Sequence, residues 1–134
     1  MRIVIDTNVL ASALFFGGKP AMLIRLLLQR KIIAVASRDI LDEYQETIDC
    51  LMEKYGGKPR QFSITPVLSA MVLIEPVTEV KLCRDPDDDK FLACAFDGCC
   101  DYVVSGDRDL LSIKAFDKIK IPNVAAFLQE QGFC

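Results

Sequence analysis

Short apolar runs alternate along this chain with longer segments of helical periodicity, and this alternation restricts the fold more than any other feature. The apolar runs predict buried strands at residues 2–5, 32–36, 102–105 and 119–121. Helices are predicted between and after them, at residues 20–30, 37–55, 65–72, 85–96 and 123–131, with an extended segment at residues 73–80. Strands that alternate with helices indicate an α/β sandwich built around a mainly parallel sheet.

The longest predicted helix has a clear signal at each end. Ser37 belongs to the residue types that cap helix N-termini, and Gly56 and Gly57 are expected to stop the helix. Apolar residues recur between these ends at helical spacing: Ile40, Leu41, Tyr44, Ile48, Leu51, Met52 and Tyr55. One face of this helix is therefore expected to pack on the core.

The length of 134 residues favours a single domain over residues 1–134, since two would be cramped at the usual ~100–150 residues each. Apolar residues make up 51% and charged residues 26%, which excludes disordered, collagen-like and coiled-coil classes. A net charge of −3 does not suit a protein that holds nucleic acid by bulk positive charge alone. The chain has no His, so Ser-His-Asp catalysis, Cys-His catalysis and imidazole metal sites are excluded.

The chain is expected to be cytoplasmic. Asp6 interrupts the apolar N-terminus, so there is no signal-peptide core, and the longest near-apolar run, residues 67–74, is far short of the ~20 residues that span a bilayer. The six Cys residues are then expected to be reduced thiols that fill space. The neighbours Cys99 and Cys100 suit neither a zinc cage nor an ordinary disulfide, and a redox role for them is the less favoured alternative.

Acidic residues follow two of the predicted strands at the point where each strand ends. Asp6 comes directly after the first strand, and Asp107 follows the strand at residues 102–105 after a single Gly. Ligands of open parallel sheets bind beyond the carboxyl ends of the strands, where two such carboxylates can converge on one cleft. Either residue alone would be read as a helix cap. The two together favour a functional site.

The segment at residues 85–89 contains four carboxylates. Three of them have a structural explanation, because Asp85 is a helix cap and the next two acids lie near the positive end of the helix dipole. Asp89 falls on the apolar stripe of Leu92 and Phe96 by helical spacing, so it is expected to point along the core-facing side. A carboxylate there is costly unless it is paired or bound to a cation. Asp89 is therefore the candidate site residue of this segment.

A further acid is expected from the helix at residues 37–55. Glu43 and Asp49 flank opposite sides of its apolar stripe, and spacing alone does not choose between them. Grouped carboxylates without His or Cys ligands favour a hard, oxygen-seeking ion, Mg²⁺ or Mn²⁺. Such ions bind phosphates and activate water, so a phosphodiester is a suitable substrate.

The ordered acidic motifs of this chain resemble those of the PIN-domain proteins, a nuclease family that includes the VapC-type toxins. Four segments carry the resemblance, in the order of the family's first to fourth motifs: residues 3–10, 40–44, 85–95 and 102–111. The second is the weakest match taken alone, and it selects Glu43 over Asp49. The ordered combination is specific and covers residues 1–128, nearly the whole chain.

The resemblance implies a three-layer α/β/α sandwich with a central, mainly parallel sheet, and endonucleolytic cleavage of RNA by metal-activated water. Four acids are implied as catalytic residues and as ligands of Mg²⁺ or Mn²⁺: Asp6, Glu43, Asp89 and Asp107. Asn8 and Ser105 would hold water or the scissile phosphate, and Ser105 stands where the family often has Thr. Asp109 is implied as an auxiliary acid, although capping of the turn at residues 110–111 is the simpler role.

Residues 84–88 are most similar to the subgroup described as toxin components of toxin–antitoxin systems. Toxins of this family are commonly held inactive by a cognate antitoxin and often form homodimers. The implied partners are therefore an RNA substrate, a cognate antitoxin and a second copy of the chain, without a membrane.

Two other functions share part of this pattern. A haloacid-dehalogenase-like phosphatase also begins with a strand followed by Asp, but it needs a second Asp where this chain has Asn8, and 134 residues leave little room for its cap domain. A catalytically silent PIN fold that binds RNA or a protein is the other alternative. Four carboxylates that repel one another in one cleft argue against an idle site.

Overall fold

The computed structural model describes residues 1–133, which form a six-stranded sheet with helices on both faces. The strands are Arg2–Ile5 (β1), Ile33–Ala36 (β2), Val72–Leu73 (β3), Tyr102–Val104 (β4), Ala115–Phe116 (β5) and Ile119–Lys120 (β6). Their order across the sheet is β3-β2-β1-β4-β6-β5, and every neighbouring pair is parallel except β5 with β6. The predicted α/β/α sandwich with a mainly parallel sheet is confirmed.

Seven α-helices within residues 1–133 pack on this sheet. They are Thr7–Phe15 (α1), Gly18–Leu28 (α2), Arg38–Tyr55 (α3), Ile64–Ser69 (α4), Asp89–Asp97 (α5), Arg108–Ile113 (α6) and Val124–Glu130 (α7). A 3-10 turn, Pro86–Asp88, leads directly into α5. No single helix within residues 1–133 is both long and apolar enough to cross a bilayer, although α1 and α2, bent by 96°, have the length and composition together.

The central strand β1 fixes where the polar edge of the sheet lies. Ile3 and Val4 are fully buried, and β1 pairs with β2 on one side and β4 on the other. In the register with β4, Ile5 lies opposite Val104. The two strands therefore end level with each other, and the polar residues that follow them, Asp6 and Ser105, meet at the same edge.

The start and stop signals predicted for α3 are confirmed. The side chain of Ser37 accepts a hydrogen bond from the Ile40 N–H at 3.3 Å, and Gly56 ends the helix in a left-handed conformation with φ 72°. This conformation costs Gly far less than residues that carry a Cβ.

Three elements were not predicted, namely α1, α6 and β5. Helix α1 has buried residues around most of its circumference, so its sequence lacks the amphipathic period that marks a surface helix. Helix α6 and strand β5 have only six and two residues, too few to show a period. The helix predicted at residues 65–72 ends earlier, because Val72–Leu73 pairs with β2 as an edge strand.

The five cysteines within residues 1–133 are free thiols, as predicted. Burial raises the pKa of Cys94 to about 12 and that of Cys100 to about 11, so both are protonated at neutral pH. Cys99 is exposed, and Cys134 lies outside the described residues.

Candidate functional site

A cleft of about 320 Å³ opens beyond the carboxyl ends of β1 and β4. The residues that line it are Asp6, Thr7, Asn8, Glu43, Thr47, Asp85, Asp88, Asp107 and Asp109. They come from four separated stretches of the chain, which the central strands, the first turn of α1 and the first half of α3 help to bring together. Six of the nine side chains are carboxylic acids, so this edge of the sheet is strongly acidic.

Asp6 is the most deeply buried acid of the cleft, with only 5% of its surface exposed. Its side chain accepts a hydrogen bond from the Thr7 N–H at 2.8 Å and another from Ser105 Oγ at 2.7 Å. Burial raises the pKa of Asp6; the two hydrogen bonds oppose this, and the charges of Asp107 and Glu43 add to it. The net shift is upward, so the site resists a negative charge at Asp6 unless a cation is close.

Ser105 joins the acids of β1 and β4. Its hydroxyl is fully buried, donates to Asp6 and accepts a hydrogen bond from the Asp107 N–H at 2.9 Å. The Asp107 side chain in turn accepts from the Leu110 N–H at 3.4 Å and caps α6. One hydroxyl therefore sets the spacing between two carboxylates that sequence analysis had already placed at strand ends.

Glu43 reaches the cleft from the first half of α3, as the resemblance had indicated. Thr7 Oγ1 donates to one carboxylate oxygen, and Lys90 Nζ lies 2.6 Å from the other. Burial acts to lower the pKa of Lys90, but the hydrogen bond and the charge of Glu43 prevail and raise it. Asp49, the alternative to Glu43, is exposed and accepts a hydrogen bond from Gln45 on the same helix.

Contrary to expectation, the structure does not bring Asp89 into this cleft, which Asp88 lines instead. The Asp89 carboxylate accepts backbone N–H bonds from Leu82 at 3.1 Å and Cys83 at 2.7 Å, and it lines a different cavity. Although burial acts to raise the pKa of Asp89, these bonds lower it below its ordinary value. Helix α5 begins at Asp89, and the carboxylate of this first residue turns back onto two N–H groups of the preceding loop. Helical spacing indicates the side of the helix on which Asp89 lies, but not that backbone N–H groups rather than a cation satisfy its charge.

The pKa of Asp88 is strongly affected by burial and by the acids around it. Burial, the charges of Asp107, Asp6 and Asp85, and a hydrogen bond with Asp107 together raise the pKa of Asp88 from 3.8 to about 7. Such a shift is the signature of carboxylates that repel one another across a shared space. The cleft is therefore short of positive charge.

The remaining predicted residues also reach the cleft. Asn8 lines it from an exposed position in the first turn of α1, and Asp109 lines it from the first turn of α6.

Sequence reasoning missed Asp88, Thr7 and Lys90. The pairing of Lys90 with an acid 47 residues away left no local pattern, since it depends on how α5 packs against α3.

The donor set of the cleft suits a hard divalent cation, since it offers carboxylate, amide and hydroxyl oxygens and no thiol or imidazole. Mutual repulsion at Asp88 gives a cation an electrostatic reason to bind there. Among residues 1–133, no three Asp, Glu, Cys or His side chains already stand in the arrangement of a metal cage. Binding of an ion therefore requires side-chain movement, for which Glu43 would give up its bond with Lys90.

A parallel sheet with carboxylates gathered beyond its central strands has the arrangement of an α/β protein that binds its ligand at that edge. A sequence model of the PIN domain matches residues 2–109. The chain belongs to the PIN-domain family. It is also similar to the uncharacterized protein MJ1680 of Methanocaldococcus jannaschii, with 33% identity over 144 aligned positions that cover 97% of this chain and 91% of that protein. No solved structure matches.

PIN domains are generally nucleases that act on RNA or other nucleic acids, and they typically use divalent metals. Membership of the PIN-domain family therefore places this chain among the nuclease-type hydrolases. It argues against the haloacid-dehalogenase-like phosphatase. The family match spans the cleft segments from Asp6 to Asp109.

Proposed function

We propose that this protein is an endoribonuclease that requires Mg²⁺ or Mn²⁺ and hydrolyses RNA phosphodiesters with water. The observation that carries the proposal is the convergence of Asp6, Glu43, Asp88 and Asp107 on one cleft from four separated parts of the chain. Oxygen ligands of this kind suit the ions that bind phosphates. The family's general nuclease activity supports the same conclusion.

Each side chain has a distinct part in the proposed reaction. Asp6, Glu43, Asp88 and Asp107 would hold the ion, which supplies activation of water and stabilises charge on the leaving oxygen. Ser105 fixes the positions of Asp6 and Asp107 through its two hydrogen bonds. Asn8 is exposed at the rim, where its amide would contact the scissile phosphate, and Asp109 would serve as an auxiliary acid.

The finer biological role is also a proposal. The likeness of residues 84–88 to the toxin subgroup supports a cytoplasmic toxin that a cognate antitoxin holds inactive. The same likeness supports a homodimer. Co-expression with the protein encoded next to this one, followed by a cleavage assay, would test the antitoxin part.

The proposal is tested by incubation of the purified protein with single-stranded and structured RNA in EDTA, Mg²⁺ or Mn²⁺. Asp6→Asn is the inactivating variant, and Asp49→Asn is the matched control, since it removes an exposed acid that lies away from the cleft. We expect cleavage that needs metal, persists in Asp49→Asn and disappears in Asp6→Asn. Equal cleavage by all three proteins would reject the proposed site.

A catalytically silent PIN fold gives a different outcome. It would show no cleavage with any of these RNAs and metals, and calorimetric titration with Mn²⁺ would give no difference between the wild-type chain and Asp6→Asn. A binding-only fold has no reason to hold the ion in this cleft. The two experiments together separate the nuclease from the silent module.

A further inference from the structure

Positive and negative residues occupy different parts of this chain. Residues 7–38 and 54–74 contain eight of the sixteen Lys and Arg residues and none of the nineteen Asp and Glu residues. These segments include α1, α2 and α4, and α2 contacts both of the others in the fold. A net charge of −3 therefore conceals a basic region, which these segments form.

Exposed aromatic rings lie within this basic region. Phe16 and Tyr55 are 59% and 53% exposed, and their rings meet edge to face with centroids 5.4 Å apart. Lys54 Nζ lies 5.4 Å from the Tyr55 ring centroid, and the Arg25 guanidinium lies 5.9 Å from that of Phe62. Large exposed rings among cations are a known platform for unpaired bases.

The loop at residues 56–63 joins the parts of this region. Gln61 donates its backbone N–H to the Leu14 carbonyl at 3.1 Å, which fastens the loop to the end of α1. The loop brings Lys58 and Arg60, both exposed, next to the ends of α1 and α3. We call the resulting set the basic–aromatic surface: Phe16, Arg25, Lys54, Tyr55, Lys58 and Arg60.

Within the part of the chain that the structure describes, the cations of the basic–aromatic surface have no carboxylate partners. The ion pairs within residues 1–133 are Lys81 with Glu79, Lys90 with Glu43, and Lys120 with Glu130. Arg25, Lys54, Lys58 and Arg60 take part in none of them. Their charge is therefore fully available to an anionic ligand.

We propose that the basic–aromatic surface binds a single-stranded segment of nucleic acid, with its cations on phosphates and its exposed rings stacked on bases. The proposal rests on the nucleic-acid substrate of the proposed function. Without metal, the carboxylates of the cleft repel phosphates, so affinity for RNA under that condition has to come from another surface of the molecule. An acidic protein segment would satisfy the cations, but the exposed rings favour nucleotides.

The fold connects this surface to the cleft. Helix α1 begins beside Asp6 in the cleft and is capped at its other end by Phe16, and α3 carries Glu43 in its first half and ends at Tyr55. At 1.5 Å per residue, these paths are roughly 15–18 Å long. A stacked strand advances about 3.4 Å per nucleotide, so roughly five nucleotides would connect the surface to the acids.

Binding is measured by fluorescence anisotropy of a labelled 12-nucleotide single-stranded RNA in EDTA, where the proposed reaction cannot run. The test variant is the double substitution Lys58→Gln with Arg60→Gln. The matched control is Lys81→Gln with Lys118→Gln, which makes the same charge change at exposed positions outside the surface. Tyr55→Ala tests stacking, and thermal unfolding confirms that every variant is folded.

We expect Lys58→Gln with Arg60→Gln to weaken binding and to reduce the slope of log affinity against log salt by about 1.4, while the control double variant leaves the slope unchanged. Tyr55→Ala is expected to weaken binding roughly tenfold. Equal losses in the test and control variants would overturn the proposal, because net charge alone would then explain binding. Displacement of RNA by a poly-glutamate peptide with no effect of Tyr55→Ala would also overturn it, in favour of an acidic protein partner.

The outcome does not depend on catalysis. A chain that binds through this surface in EDTA but never cleaves RNA would support the surface and contradict the nuclease. If cleavage occurs, Lys58→Gln with Arg60→Gln is expected to raise KM on the 12-nucleotide RNA with little change in kcat. A four-nucleotide RNA is too short to span from the surface to the cleft, so its cleavage is expected to be unaffected by these substitutions.

Discussion

Lys90 Nζ lies 2.6 Å from a carboxylate oxygen of Glu43, and this ion pair joins α5 to α3 at the rim of the acidic cleft. Both side chains are mostly shielded, with 20% and 27% of their surfaces exposed. Lys90 therefore supplies, in the chain without metal, part of the positive charge that the carboxylates need. It also occupies an oxygen that an incoming ion would use.

Replacement of Lys90 is expected to destabilise the metal-free protein. Lys90→Met keeps the length of the side chain but leaves Glu43 with an unpaired, partly shielded charge, so the free energy of unfolding should fall by about 1 kcal/mol. Urea unfolding in EDTA measures the change. The control is Lys81→Met, whose ion pair with Glu79 is exposed and whose loss should change stability by less than ~0.5 kcal/mol.

The same variant should respond more strongly to metal. Without Lys90, Glu43 is free to bind a cation, so Mn²⁺ is expected to restore more stability in Lys90→Met than it adds to the wild-type chain. Identical gains in the two proteins would contradict the assignment of Glu43 to the ion site.

The neighbours Asp88 and Asp89 offer a direct test of the site's composition. Asp88→Asn removes an acid of the cleft and should reduce metal-dependent RNA cleavage by roughly 100-fold or more, since metal stabilisation contributes several kcal/mol. Asp89→Asn should retain cleavage and lose stability instead, because Asp89 bonds the Leu82 and Cys83 N–H groups. The measurements are the cleavage rates and the urea midpoints of both variants. Loss of cleavage in Asp89→Asn, with cleavage retained in Asp88→Asn, would show that Asp89 and not Asp88 belongs to the site.

The metal-free protein is expected to lose stability as pH rises from about 4 to about 7. The folded state raises the pKa of Asp88 from 3.8 to about 7, so between these values the folded chain binds more protons than the unfolded chain. Stability falls with pH wherever that is so. Urea unfolding at pH 5, 6 and 7.5 in EDTA should show this decline, and Asp88→Asn should make it shallower. An unchanged pH slope in Asp88→Asn would contradict the crowding of acids around this residue.

Ser105 is expected to matter for both folding and activity. Ser105→Ala removes a hydroxyl that bonds Asp6 and Asp107, which leaves a buried carboxylate and an N–H group short of partners and costs about 1–3 kcal/mol. Cleavage should fall roughly 10–100-fold because the two acids lose their fixed spacing. Ser105→Thr keeps the hydroxyl and should retain more activity than Ser105→Ala. Similar losses in the two variants would show that space, rather than the hydroxyl, is what matters at this fully buried position.

The sequence allowed the sheet and its longest helix to be predicted because those elements carry local signals. The apolar run of β1, the cap at Ser37 and the stop at Gly56 each depend on a few consecutive residues. Helix α1 was missed because burial on most sides erases the amphipathic period. The amphipathic period arises because one side of a helix faces solvent, so a helix that is buried on most sides does not show it.

The site was predictable to the extent that strand ends determine it. Asp6 and Asp107 were located because parallel strands bring their carboxyl ends together. The choice between Asp88 and Asp89 depended on the groups that each carboxylate meets, because Asp89 bonds the Leu82 and Cys83 N–H groups of the preceding loop while Asp88 lines the cleft. The pair of Lys90 with Glu43 depended on contact between two helices, which spacing along one helix cannot reveal.

The hydrogen bond between Ser105 and Asp6 links residues that are 99 positions apart in sequence. During synthesis the N-terminal part of a chain emerges first, so β1 and α3 are available long before β4 and Asp107 leave the ribosome. A nascent chain therefore carries Asp6 and Glu43 without the acid that completes their cleft. If the cleft cuts RNA, a chain that is still being translated lacks Asp107 and cannot yet cut the RNA of the ribosome that makes it. The cleft is complete only when almost the whole domain has been synthesised.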